Sequence, residues 1–197
     1  MTTGRLEAFS DGVFAIAITL LVLEFGIAED TSDLGAALVH IWPSYLAYVT
    51  TFLTIGVIWV NHHQLFDLVD RVDRPLLFFN TLLLMVVAFL PFPTRLVAQF
   101  LRGGDEETAT LAYGCTFIVL AIAFQLVWRW MATGRRLIRE NVPQTTLDGI
   151  NRSFNPGLPL YLGVTALVFV SPLASIILFL ALAVFYALPG SFLVRRR

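Results

Sequence analysis

The chain of 197 residues is 57% apolar and 14% charged, with a mean hydropathy of +0.78. Soluble domains average roughly 45–50% apolar and about 25% charged residues, so this composition excludes a water-soluble domain and points to a membrane protein. Thirteen arginines and no lysines face fourteen acidic residues, which leaves no basic footprint for nucleic acid, and the lone Cys115 supports neither a disulfide framework nor a cysteine metal site.

The first apolar segment opens with Arg5, Glu7, Ser10 and Asp11 and then becomes almost unbroken hydrocarbon up to Glu24. Gly26-Ile27-Ala28 weakly resembles a signal cleavage site. A signal peptide, however, carries only positive charge before its apolar run, and Asp11 breaks that pattern. Windows of about 20 residues place spans at 8–25, 38–60, 76–100 and 109–130. The stretch 158–194 is too long for one helix. Ser171-Pro172 divides it, because proline disfavours helix at the residue before it and removes a donor. A single helix kinked at Pro172 is the alternative. The expected architecture is an all-α membrane protein with six transmembrane helices in one domain, 1–197.

Arginine placement supports an even number of spans. The N-terminus, the loops at 61–75 and 129–156, and the tail hold eleven of the thirteen arginines; only Arg95 and Arg102 fall opposite. The positive-inside rule then puts both termini in the cytoplasm. The outer loops are acidic, with Glu29, Asp30, Asp33, Asp105, Glu106 and Glu107. Such loops are ordinarily just solvated, although a ring of them would concentrate cations.

At 3.6 residues per turn, Phe9, Gly12, Ile16, Leu20 and Leu23 share one stripe of the first span, with Thr19 at its edge. Such a stripe ordinarily meets core or lipid. Ser10 and Asp11 project elsewhere, and a polar or ionisable pair in a membrane helix calls for a partner. Candidates end the second span: Trp59, Asn61, His62 and His63. Adjacent histidines diverge by about 100° on a helix and chelate poorly, so no metal site is expected. Catalytic spacings and phosphate-binding glycine loops are lacking. Trp128 and Trp130 read as anchors at the membrane edge.

Arg5-x-x-x-Phe9-Ser10-Asp11 opening the first span, together with Trp59-x-x-His62 closing the second, resembles the transmembrane-protein-175 family of potassium channels. The likeness covers essentially the whole chain. It implies that the first helix lines the pore of a homotetramer, because this chain carries one six-helix copy. It also implies a hydrophobic constriction from Ile16, Leu20 and Leu23, with a hydroxyl ring from Thr19, in place of a carbonyl filter. Arg5, Phe9, Ser10 and Asp11 would then bind neighbouring helices in a network with Trp59 and His62, as structural clamps rather than ion ligands. The implied function is passage of potassium, and of other monovalent cations, across a bilayer that is expected to be a bacterial plasma membrane, without enzymatic activity or cofactor. A proton-coupled secondary transporter using Asp11 or Glu24, or an assembly protein that moves nothing, are the alternatives.

Overall fold

The computed structural model describes residues 2–26 and 32–188, and among these every regular element is helical. Glu29, Asp30, the last span beyond residue 188 and Arg195, Arg196 and Arg197 lie outside the described residues. Helix α1 (Thr3–Leu20) continues as a 3-10 turn over Leu21–Glu24. Leu6, Ser10, Phe14, Ala17 and Leu21 recur at helical spacing and are the residues this segment buries. A short α2 (Leu34–His40), capped by Asp33 accepting from the Ala36 N–H at 3.1 Å, leads into α3 (Trp42–Phe66).

Helix α3 runs past the boundary expected from hydropathy. Asn61, His62 and His63 are therefore helical, not part of a loop. No Gly or Pro occurs between Asn61 and Asp67, and the Asn61 amide donates to the Val57 carbonyl one turn back at 2.9 Å. Helices α4 (Arg74–Phe89) and α5 (Pro91–Phe100) form one bent crossing. Pro91 and Pro93 lack N–H groups, which removes rungs from the helical ladder and bends it there. Helix α6 (Glu106–Ala132) starts with Glu106 and Glu107, where the helix dipole favours negative charge, and ends before Gly134 at φ +60°.

The segment after α6, expected as loop, contains α7 (Gln144–Phe154), which buries Leu147 and Ile150. It also pairs with the turn after α3: Asp70 N–H donates to the Leu137 carbonyl at 2.8 Å, and Arg139 N–H to the Leu68 carbonyl at 2.9 Å. Helix α8 (Gly157–Ala166) tightens into a 3-10 turn over Leu167–Phe169. Ser171 is extended and its hydroxyl accepts from the Ala174 N–H, starting α9 (Pro172–Ala187). The Ser175 hydroxyl donates to the Val164 carbonyl at 2.7 Å, and the Tyr161 and Phe179 rings stack at 6.0 Å. These pairs are symmetric about residue 170, so α8 and α9 form an antiparallel hairpin, which rules out the single kinked helix.

Four helical segments are long and apolar enough to cross a membrane: Thr3–Glu24, Trp42–Phe66, Arg74–Phe100 and Glu106–Arg135. Helix α9 is a shorter apolar helix. The fold is thus an all-helical membrane protein in which, among the described residues, four segments are long enough to cross and the fifth and sixth expected spans form a hairpin of shorter helices. Its middle is tied by the Thr51 hydroxyl, 2.9 Å from both the Thr94 and Tyr113 hydroxyls, which joins α3, α5 and α6. Gly114 of α6 lets α8 approach so closely that a Cβ there would lie 2.6 Å from the Thr165 hydroxyl.

One end of the bundle gathers the start of α1, the end of α3, the start of α4 and the end of α6. At this end Trp130 donates to the Asp73 carboxylate at 3.1 Å, while the Arg136 guanidinium lies 5.1 Å from the Trp130 ring. Trp128 is buried and donates to Asn151 at 2.7 Å. The two indoles therefore fasten the start of α4 and helix α7 to α6, and Trp128 is not the membrane-edge anchor expected from its position.

Candidate functional site

Helix α1 presents two unlike faces. Its buried face carries a directed chain of hydrogen bonds. The Asn80 amide of α4 donates to the Ser10 hydroxyl at 3.0 Å, and the Ser10 hydroxyl donates to the Leu6 carbonyl at 2.9 Å. The Asn80 carbonyl lies 2.8 Å from His62 Nε2. Since that oxygen can only accept, His62 carries its proton on Nε2 and donates. Ser10 and Asn80 are fully buried and His62 is 1% exposed. The His62 ring is further held edge-on to Phe14 at 5.4 Å and stacked on Phe66 at 4.3 Å. Three helices thus meet through a chain in which each donor has an acceptor, the arrangement that a low-dielectric interior requires.

Asp11 lies beside this chain but on the exposed side. Its carboxylate accepts from the Trp59 indole N–H at 2.8 Å, and Trp59 stacks on His63 at 6.4 Å. The structure therefore brings Ser10, Asp11, Trp59 and His62 together in two adjoining pairings, with Asp11 on Trp59 and Ser10 reaching His62 through Asn80. Phe9 is exposed, and the exposed Arg5 side chain makes no hydrogen bond or ion pair among the described residues of the single chain.

Asn80 escaped the sequence reading, although it had a signal. It is a polar side chain inside the apolar run from Leu76 to Leu90, where an unsatisfied amide is costly. Missed too was a tether at the other end of the bundle: Glu24 lies 3.6 Å from the Arg95 guanidinium of α5. This pair fixes the far end of the α1 segment.

The opposite face of α1 consists of Phe9, Gly12, Ile16, Leu20 and Leu23, all exposed, with Ile16 61% and Leu23 72% accessible. Continuous α-helix would rotate Leu23 about 60° from Leu20. In the 3-10 turn three residues make a full turn, so Leu23 stands over Leu20 instead. Thr19 is exposed at the stripe's edge, and its hydroxyl donates to the Ile16 carbonyl at 2.9 Å. With its proton committed to the backbone, the oxygen offers only lone pairs outward.

Comparison with known proteins places this geometry. A family model described as the endosomal/lysosomal potassium channel TMEM175 matches residues 5–91, which include nearly all of α1, Trp59 and His62 of α3, and Asn80 of α4. A potassium channel of Chamaesiphon minutus is 44% identical over 190 residues, 94% of this chain and 94% of that one. The chain belongs to the TMEM175 family. A potassium channel of Streptomyces collinus is 52% identical over 134 residues, 66% of this chain and 65% of its own. The crystal structure of a lysosomal potassium-selective channel TMEM175 homolog from Chamaesiphon minutus matches with a TM-score of 0.86 at 43% identity, over 94% of this chain and 96% of that chain. TMEM175 is a family of ion channels, not of enzymes.

Proposed function

We propose that this protein is a potassium-permeable channel of the bacterial plasma membrane, assembled as a homotetramer in which four copies of α1 surround the pore. The two-faced α1 carries this reading. One face is packed and hydrogen-bonded within its own chain, whereas Ile16, Leu20 and Leu23 are exposed, apolar and aligned. Four such faces around an axis give stacked apolar rings about 6 Å apart, from rises of about 1.5 Å per α-helical and 2.0 Å per 3-10 residue. The potassium channel of Chamaesiphon minutus, similar over nearly the whole chain, supports the choice of ion.

The rings act by excluding water. Carbon cannot replace an ion's hydration shell, so a narrow apolar ring closes by dewetting, and a wider one passes ions that keep much of their water. Thr19 supplies the polar relief between the rings of Ile16 and Leu20, since its oxygen offers acceptor lone pairs to a cation. Discrimination in such a pore rests on size and on a few hydroxyls, and so is weaker than in a filter of carbonyl rings. Six crossings, with α8 and α9 supplying the last two, and cytoplasmic termini complete the topology. Asp11, Ser10, Trp59 and His62 serve as clamps that hold the pore helix, and Arg5 and Phe9 are available to a neighbouring subunit.

Reconstitution into planar bilayers tests the reading. Under bi-ionic potassium and sodium conditions, a channel gives a reversal potential set by relative permeability and passive current at every voltage. Current that needs a proton gradient at fixed stoichiometry, or no current from intact tetramers, would sink it.

A further inference from the structure

At the end of the bundle away from Trp59 and His62, a pocket of about 330 Å³ opens between the 3-10 turn of α1, the start of α3 and the end of α5. Its polar lining is Glu24, His40, Ser44, Arg95, Gln99 and Arg102. Both guanidiniums are spent only in part. Arg95 Nε lies 3.6 Å from Glu24 Oε2, an ion pair too long for a hydrogen bond, and the Arg95 side chain stays 58% exposed. Arg102 makes one long contact, 3.4 Å from its Nη1 to His40 Nδ1, and because a guanidinium only donates, that nitrogen accepts. Neither arginine has a further ion pair or side-chain hydrogen bond among the described residues. Among the same residues the Ser44 hydroxyl and the Gln99 side-chain amide have no partner either, although Ser44 is only 8% exposed. The lining thus sets two guanidiniums against one carboxylate, and it holds more N–H and O–H donors than acceptors.

We infer that this pocket binds a small multivalent oxyanion of the phosphate or sulfate type, held between the Arg95 and Arg102 guanidiniums with Ser44 and Gln99 as neutral donors. A guanidinium presents its N–H groups as a planar fork that matches two oxygens of such an ion, and these charge-assisted bonds are about twice as strong as neutral ones. The net positive charge disfavours a metal cation, and an apolar ligand would leave the donors unpaired. The volume is about eleven times the roughly 30 Å³ share of a water molecule, which is room for a tetrahedral ion with part of its hydration. The oxygens of the ion and the Glu24 carboxylate compete for Arg95. Occupancy therefore loosens the tether on the 3-10 turn that stands Leu23 over Leu20. The site stands whether or not α1 lines a pore. A free ion and the phosphodiester of a lipid headgroup offer the same chemistry, and the test separates them.

Sodium sulfate is titrated calorimetrically into the full chain in maltoside detergent, which carries no phosphate, with ionic strength held constant by sodium chloride. Saturable binding, one ion to each chain, is expected. Arg102→Gln should weaken it at least about tenfold at unchanged oligomer size, the loss of one hydrogen-bonded charge. Glu24→Gln removes the competitor and keeps its shape, so it should instead tighten binding about two- to fivefold, the range of an exposed ion pair. Native mass spectrometry after reconstitution with phosphatidylglycerol then identifies the source. Retained lipid that is lost in Arg102→Gln assigns the site to a headgroup, and equal retention in both proteins assigns it to the free ion. No saturable heat beyond that of chloride, sulfate binding indifferent to Arg102→Gln, or Glu24→Gln binding no tighter than the wild type would overturn the site.

Discussion

At the scale of single residues, the chain from His62 through Asn80 to Ser10 makes substitutions unequal. Ser10→Ala leaves the buried Asn80 amide without an acceptor, at a cost of about 1–3 kcal/mol. Asp11→Ala frees an indole that is 42% exposed within one chain, so it should cost the isolated subunit less than about 1 kcal/mol. The sequence alone calls for a partner for both residues and does not rank the two losses; the structure does. Thermal unfolding midpoints of the purified variants should therefore drop more for Ser10→Ala; equal drops would contradict the chain as described. If the exposed stripe of α1 lines the pore as proposed, Ile16→Asn and Leu23→Asn should let water wet it and raise conductance while reducing discrimination between potassium and sodium, measured in bilayers. The clamp was half legible in the sequence. Ser10, Asp11, Trp59 and His62 announce themselves by polarity at the ends of apolar runs. The residue that joins two of them, Asn80, is mid-run on a different helix, and pairing across 70 positions leaves no local pattern.

At the scale of elements, the hydropathy of the spans located the helices but not their ends. A hydropathy window closes where polar residues begin. A helix ends where its backbone ladder is broken, which is why α3 continues through Asn61, His62 and His63. Helix α7 was missed because its buried stripe is only Leu147 and Ile150, too thin to register among polar residues. Ser171-Pro172 was readable because cap and proline act locally. Close apolar packing between elements was not readable, and Gly114 illustrates it. Gly114→Ala pushes a methyl into Thr165 and should cost about 1–3 kcal/mol through overpacking. Adding Thr165→Ala should recover much of that loss. A double mutant as unstable as the sum of its parts, in denaturant titration of the purified protein, would show that the two helices do not meet there.

At the scale of the whole molecule, charge partition was the most legible property, because it depends on counting rather than on contacts. The described arginines divide between the ends of the bundle as the sequence suggests: Arg5, Arg71, Arg74, Arg129, Arg135, Arg136, Arg139 and Arg152 at the clamp end, Arg95 and Arg102 at the other. A C-terminal reporter should be active only in the cytoplasm; activity outside would refute the orientation. The hairpin of α8 and α9 carries a consequence for biosynthesis. The four long segments can each partition into a bilayer as the ribosome releases them, since each satisfies its own backbone over a full crossing. The α-helix Pro172–Ala187 is 16 residues, about 24 Å at 1.5 Å per residue, against a hydrocarbon layer of roughly 30 Å, and α8 is shorter still. These two enter best as a late pair that docks on α6 at Gly114 and Thr165. Nascent chains stalled after α6 should already resist alkaline extraction, whereas the hairpin fused alone to a soluble carrier should be washed from the membrane.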